Sequence, residues 1–152
     1  MTTSRRRILT ALAVFAVTPT AWGKAQNACD LLTPQEINSI VGAPVSAGVA
    51  LNSAATSSCK WQQSGVDPFK AITVVVSTKD APAYEAGKGV RQPESVSGIG
   101  DDAYLTGKSL SYVVLSVKKG QSAFTLTIHG LKDFAATKNA EEALAKVAAG
   151  RM

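Results

Sequence analysis

The stretch SVSGIGDDAYLTGKSLSYVVLSVKKGQSAFTLTIHG, residues 95–130, decides the fold. It holds three runs rich in β-branched and aromatic residues, separated by turns that contain glycine, which predicts three antiparallel strands joined by hairpins. Gly107 and Lys108 suit a two-residue loop with glycine at the first central position. We therefore expect Leu105 to lie opposite Leu110.

The second turn of this stretch lies at Lys118, Lys119 and Gly120. A three-residue loop places only the glycine at positive φ, so the sequence predicts Val114 opposite Phe124. Both turns then predict one core-facing set, as a half-buried antiparallel sheet requires. This set is Ala103, Leu105, Leu110, Tyr112, Val114, Phe124, Leu126 and Ile128.

A helix start precedes the sheet residues in the N-terminal part of the chain. Thr33 can cap a helix that begins at Pro34, and Glu36 completes a capping box. Gly42 is expected to end this helix. Further strands are expected near residues 48–52, at residues 58–62 and at residues 72–77.

The remaining segments are predicted to be two helices and a linker. A short helix is expected from Pro82 to Ala86, and residues 88–95 are expected to be a polar linker. A last helix is expected to begin at Asn139 and to end near Gly150. The predicted fold class is therefore α+β: one antiparallel sheet of about five to six strands, flanked by a short N-terminal helix and a C-terminal helix.

The first 23 residues have the three parts of a secretory signal, namely a basic start, an apolar run and small residues before a cleavage point. We expect residues 1–23 to be removed and residues 24–152 to form one domain. The paired arginines also fit a twin-arginine signal, and both export routes stay open. The net charge of +5 includes Arg5, Arg6 and Arg7, so the mature chain keeps +2, which argues against a nucleic-acid partner.

Cys29 and Cys59 are the two cysteines of the chain. In an exported protein such a pair favours a disulfide over a redox or metal site. The alternative is that Cys29 carries a lipid, although Gln26 stands where a lipid-attachment signal has a leucine-like residue. We expect the disulfide and no stable membrane anchor.

No set of residues converges on a catalytic, metal or cofactor site in this sequence. The glycine motif at residues 98–103 precedes a strand and carries Asp101 and Asp102, so it is predicted to be a turn and not a dinucleotide site. The two aspartates favour surface or capping roles over a metal or acid–base pair. His129 is expected to be exposed on the sheet face opposite Phe124, and no nucleophile motif accompanies it.

Three segments together resemble a family of secreted bacterial envelope domains of unknown function, many of them lipoproteins. They are CDLLTPQE at residues 29–36, CKW at residues 59–61 and VSGIGDDAY at residues 96–104. The resemblance implies a disulfide between the two matching cysteines and a sheet flanked by helices, similar in fold to PsbP. It carries no catalytic residues.

The function expected from these observations is an exported, non-catalytic binding module for an unknown protein or envelope component. Asp101, Asp102 and Tyr104 are the candidate binding-loop residues. One alternative is a hydrolase that uses a loop carboxylate or His129. The other is an inhibitor of an envelope or host enzyme that inserts a loop such as 62–70 or 87–100.

Overall fold

The computed structural model describes residues 26–51, 53, 56–89, 92–109 and 112–152. The predicted signal segment, residues 1–23, lies outside the described residues. Within them the fold is α+β, with one antiparallel sheet, three α-helices and one disulfide. No helix in this part of the chain is both long and apolar enough to cross a membrane.

The sheet has seven strands in the described residues, more than the five to six predicted from the sequence. Their order across the sheet is β1-β2-β3-β7-β6-β5-β4, and every neighbouring pair is antiparallel. The strands are β1 (Val49–Ala50), β2 (Ser58–Gln62), β3 (Thr73–Asp80), β4 (Glu94–Val96), β5 (Asp102–Ser109), β6 (Tyr112–Lys119) and β7 (Ser122–His129). The segment 88–95, predicted to be a linker, thus supplies edge strand β4.

One face of the sheet carries the main core. Helix α3 (Phe134–Ala149) packs on β6 and β7, and helix α1 (Pro34–Val41) packs on α3. Trp61, Phe124, Leu126 and Leu144 are fully or almost fully buried between these layers. Burial of large apolar side chains on one face of each strand explains why the short helix α1 is stable, since isolated helices of this length are not.

The caps of α1 are those that the sequence predicts. The Thr33 hydroxyl accepts from the Glu36 amide, the Glu36 carboxylate accepts from the Thr33 amide, and Gly42 ends the helix at φ 73°. Arg151, close to the C-terminal end, forms two hydrogen bonds with the same carboxylate. This guanidinium lowers the pKa of Glu36 to about 2.

The disulfide between Cys29 and Cys59 confirms the sequence prediction. It joins the segment before α1 to strand β2, where Cys59 and Trp61 are buried on the same side. Gly48 passes directly over this pair: a Cβ there would lie 2.7 Å from Cys59 Sγ and 2.8 Å from Trp61 Nε1. Only a glycine lets the chain approach the bridge so closely.

The register predicted for the three-strand meander is wrong at both turns. Ala103 pairs with Val117 and Leu126 pairs with Leu115, so Val113, Leu115 and Val117 face the core. The core-facing positions predicted for β6 therefore belong to the wrong face, since Val114 is only half-buried and lies on the opposite side. Leu110 lies outside the described residues, as does the side chain of Tyr112. The positions predicted for β5 and β7 are confirmed as buried: Ala103, Leu105, Phe124, Leu126 and Ile128.

Two glycines explain the error. Gly107 does not form the hairpin loop but lies inside β5 at positive φ, where the register with β6 shifts as in a β-bulge. At the second turn Lys119 pairs with Ser122, so the loop consists of Gly120 and Gln121. Glycine thus occupies the first loop position, and no lysine needs positive φ.

Two predicted helices have different boundaries in the structure. Helix α2 (Ala81–Gly89) runs past Gly87, which was expected to end it. Helix α3 begins at Phe134, five residues before the predicted start, because the Asp133 side chain caps it by accepting from the Ala136 amide. Asn139 is consequently an exposed residue inside the helix.

Candidate functional site

The second face of the sheet carries a trough with a cavity of about 450 Å³. Helix α2 covers one end of this face, and the trough occupies the part beside it. We call the trough the cavity lined by Val75, Lys79, Gly87, Tyr104, Thr106, Val114, Ser116, Thr125, Thr127 and His129. Its volume lies in the range of small-molecule sites, which is about 300–1,000 Å³.

The floor of the trough follows from the alternation of the strands. Val75 pairs with Thr127, and Thr106 pairs with Val114, so these four side chains lie on neighbouring strands of the same face. Each of them is branched at Cβ, and such side chains have few rotamers. The floor is therefore rigid and presents methyl groups and hydroxyl groups side by side.

The wall at the α2 end of the trough is a small second core. Tyr84 from α2, Tyr104 from β5 and Ala123 from β7 are buried together, and the two tyrosine rings are 4.9 Å apart. Burial raises the pKa of Tyr84 above its ordinary value, and the negative charge of Asp102 adds to this shift. A Cβ on Gly87 would lie 2.8 Å from the Tyr104 hydroxyl, so glycine allows α2 to lie close against the wall.

Two ion pairs hold α2 against the sheet. The Lys88 ammonium is 2.6 Å from the Asp102 carboxylate, and the Lys118 ammonium is 2.5 Å from that of Glu85. The hydrogen bond from Lys88 lowers the pKa of Asp102, and the hydrogen bond to Glu85 raises the pKa of Lys118. Each pair links the helix to a strand, so the charged groups of this end are arranged in opposite pairs.

The candidate binding residues from the sequence do not form one loop site. The exposed Asp101 caps the β6–β7 turn by accepting from the Gly120 amide at 2.7 Å. Asp102 is paired with Lys88 beside α2, and Tyr104 is buried, with its hydroxyl 3.4 Å from the carbonyl oxygen of Tyr84. Of the three, Tyr104 alone lines the trough.

His129 is exposed at the end of β7, on the face opposite Phe124, as the sequence predicts. Its side chain lines the end of the trough farthest along the strand from Lys79. No carboxylate in the described part of the chain forms an ion pair or hydrogen bond with this imidazole. The described residues also hold no cluster of three or more potential metal ligands among His, Cys, Asp and Glu.

Below the trough the sheet opens between β6 and β7. Their pairing in the described residues ends at Leu115 and Leu126, although both strands continue. The fully buried Glu141 of α3 reaches this opening, and its Oε1 accepts from the Ile128 amide at 3.0 Å. Its Oε2 has no hydrogen-bond partner among the described residues. Burial raises the pKa of Glu141 to about 8, so the carboxyl is mostly protonated at neutral pH.

Most trough residues were not candidate site residues in the sequence analysis. A signal for them exists in the sequence, because β7 alternates Phe124, Leu126 and Ile128 with Thr125 and Thr127. Such alternation predicts a polar face, but it does not say whether helices or solvent cover that face. The short helix α2 and the bulge at Gly107 shape the trough, and both depend on tertiary packing.

No protein-family model, curated protein or solved structure matches this chain.

Proposed function

We propose that this protein is an exported, non-catalytic binding module of the bacterial envelope type and that the trough is its ligand site. The observation that carries the proposal is a cavity of about 450 Å³ on the face of the sheet that lacks the main core. The other face is fully used for packing. A rigid sheet that leaves one concave face open is suited to binding a ligand without changing shape.

The chemistry of the trough supports binding more than catalysis. It combines hydroxyls, one lysine and one imidazole, and none of its lining residues is an aspartate or glutamate. Hydrolases that use histidine orient the imidazole with a carboxylate and place a nucleophile beside it. The disulfide supports export, because such bonds persist mainly outside the reducing cytosol.

The proposal is tested by filling the trough. Thr127→Trp places an indole on the floor, while Ala135→Trp places the same group on the exposed side of α3 and serves as the control. The full-length protein is recovered from the extracytoplasmic fraction of its producing cell and analysed by native mass spectrometry. We expect a non-covalent adduct on the wild type and on Ala135→Trp that Thr127→Trp lacks. An adduct of equal occupancy on all three proteins contradicts the assignment of the trough.

The loop between β2 and β3 favours protein binding as a second candidate function. Phe69 is 99% exposed, and Val66 on the same loop is 43% exposed. Asp67 fixes the tip, since its Oδ1 accepts from the Phe69 amide and its carbonyl accepts from the Lys70 amide, each at 2.9 Å. A fixed turn that holds an aromatic side chain in water is suited to insertion into a pocket of another protein, as an inhibitor loop does.

A substitution at the loop tip separates this second function from the first. Phe69→Ser should change the free energy of unfolding by less than about 0.5 kcal/mol, since the ring contacts little of its own protein. We expect it to abolish retention of a protein partner from an envelope extract. Val49→Ser, which changes another exposed apolar residue, should retain that partner. Retention by both variants excludes the loop tip as the contact.

A further inference from the structure

The charges that line the trough are of one sign. Lys79 lies at its α2 end, with its ammonium 5.5 Å from the centre of the Tyr84 ring, and no lining residue is acidic. The two carboxylates nearest this wall, those of Asp102 and Glu85, are paired with Lys88 and Lys118. A ligand in the trough therefore meets a positive charge at one end and no negative charge along the lining.

The trough is long as well as one-sided in charge. Lys79 pairs with Ala123 on β7, while His129 pairs with Thr73, so six residues of β3 separate the two ends. At about 3.3 Å per residue this distance is roughly 20 Å. Between the ends the lining is uncharged and offers methyl groups beside hydroxyls, which suits an uncharged body with much apolar surface.

We propose that the trough binds elongated organic anions, with the acidic group beside Lys79 and the uncharged body along the floor towards His129. This inference rests on the proposed function of the trough. A lysine ammonium acts as a point charge and does not select one planar geometry, so carboxylates, sulfonates and phosphate monoesters share the required chemistry. The class excludes cations and favours molecules with one acidic end.

Two fluorescent dyes that differ in one acidic group test the charge preference. 1-Anilinonaphthalene-8-sulfonate is an anion, and N-phenyl-1-naphthylamine has the same rings without the sulfonate. Wild-type protein is expected to bind the sulfonate about tenfold or more tightly than the neutral dye. Lys79→Met should reduce this ratio to below about threefold, mainly by weakening binding of the sulfonate. Lys70→Met, which removes a charge from the exposed β2–β3 loop, should leave the ratio unchanged.

A second measurement on the wild type keeps the test independent of the folding of the Lys79 variant. Raising the salt concentration from about 0.01 M to 0.3 M should weaken binding of the sulfonate several-fold and leave the neutral dye unaffected. Equal affinity for both dyes at all salt concentrations overturns the anion preference. If Thr127→Trp abolishes that equal binding, the trough remains the ligand site. If Thr127→Trp changes the binding of neither dye, the proposed site is wrong as well.

Discussion

Glu141→Gln is expected to make the protein more stable at pH 8, by on the order of 3 kcal/mol, and to leave its stability near pH 4.5 almost unchanged. The carboxyl of Glu141 is fully buried, and burial raises its pKa from 4.5 to about 8. In the unfolded chain the same group ionises near its ordinary pKa. Between the two pKa values the unfolded state therefore binds fewer protons, and the free energy of unfolding falls as the pH rises.

The sign of this effect follows from which form the fold tolerates. The protonated carboxyl keeps its full contribution below about pH 4.5, and that contribution is lost as the pH rises through about 8. Glutamine cannot ionise, and its amide oxygen can still accept from the Ile128 amide. Denaturant unfolding at pH 4.5, 6 and 8 measures the effect. Glu142→Gln, one position along the same helix, is the control and should keep the wild-type slope.

A wild-type stability that does not fall between pH 4.5 and 8 contradicts this description of the opening between β6 and β7. The same conclusion follows if Glu141→Gln and wild type lose stability in parallel. Either result means that the carboxyl is hydrated and that the strands separate for another reason. The measurement therefore reports on the geometry below the trough as well as on one residue.

Removing the disulfide is expected to lower the free energy of unfolding by about 3–4 kcal/mol. The bond between Cys29 and Cys59 closes a segment with a sequence separation of 30, and it ties the N-terminal segment to β2. Alanine is the suitable replacement at both positions, because Cys59 is fully buried and a serine hydroxyl would need a partner there. Reduced wild type, unfolded by denaturant in the presence of a thiol-free reductant, is the matched comparison.

The double alanine variant and the reduced wild type should unfold at similar denaturant concentrations, both well below the oxidised protein. Dye binding in the trough at low temperature should persist, since the bridge lies on the core side of the sheet. An oxidised protein no more stable than the variant would show that the bond adds nothing to the fold. A readily titrated thiol in the native protein would show that the bond is not formed.

The local signals of the sequence were sufficient where one residue has one structural role. The capping box of α1 is an example, since Thr33 and Glu36 satisfy each other's backbone amides whatever the rest of the chain does. The cysteine pair is another, because the chain offers no second pairing. These features depend on neighbours in sequence or on elimination, and both survive in the structure.

The register of β6 shows why the rest could not be predicted. Its sequence YVVLSVKK is apolar on both faces, so the pattern does not choose between Val114 and its neighbours Val113 and Leu115. The two predicted turns were each displaced by an odd number of residues, five in one register and three in the other. Two odd displacements restore the faces of β5 and β7 and reverse only β6. Agreement between the turns therefore did not reveal the error.

The trough was harder to predict than the core because it is formed by what the helices leave uncovered. The alternation of Thr125 and Thr127 with buried residues marks a polar face in the sequence. The position of α2 on that face depends on Tyr84 and on ion pairs between residues 14 and 33 positions apart. Such contacts join side chains that no local pattern relates.

Methyl NMR of the valines tests most directly whether the open face is the ligand site. Val75 and Val114 line the trough, Val74 and Val113 face the core, and Val49 is exposed elsewhere. The protein is titrated with an organic extract of the cell envelope, and the methyl shifts are followed. We predict the largest shifts at Val75 and Val114, with Val49 unmoved and the whole set unmoved in Thr127→Trp. Shifts concentrated at Val49, with none at the two trough valines, would contradict the central claim.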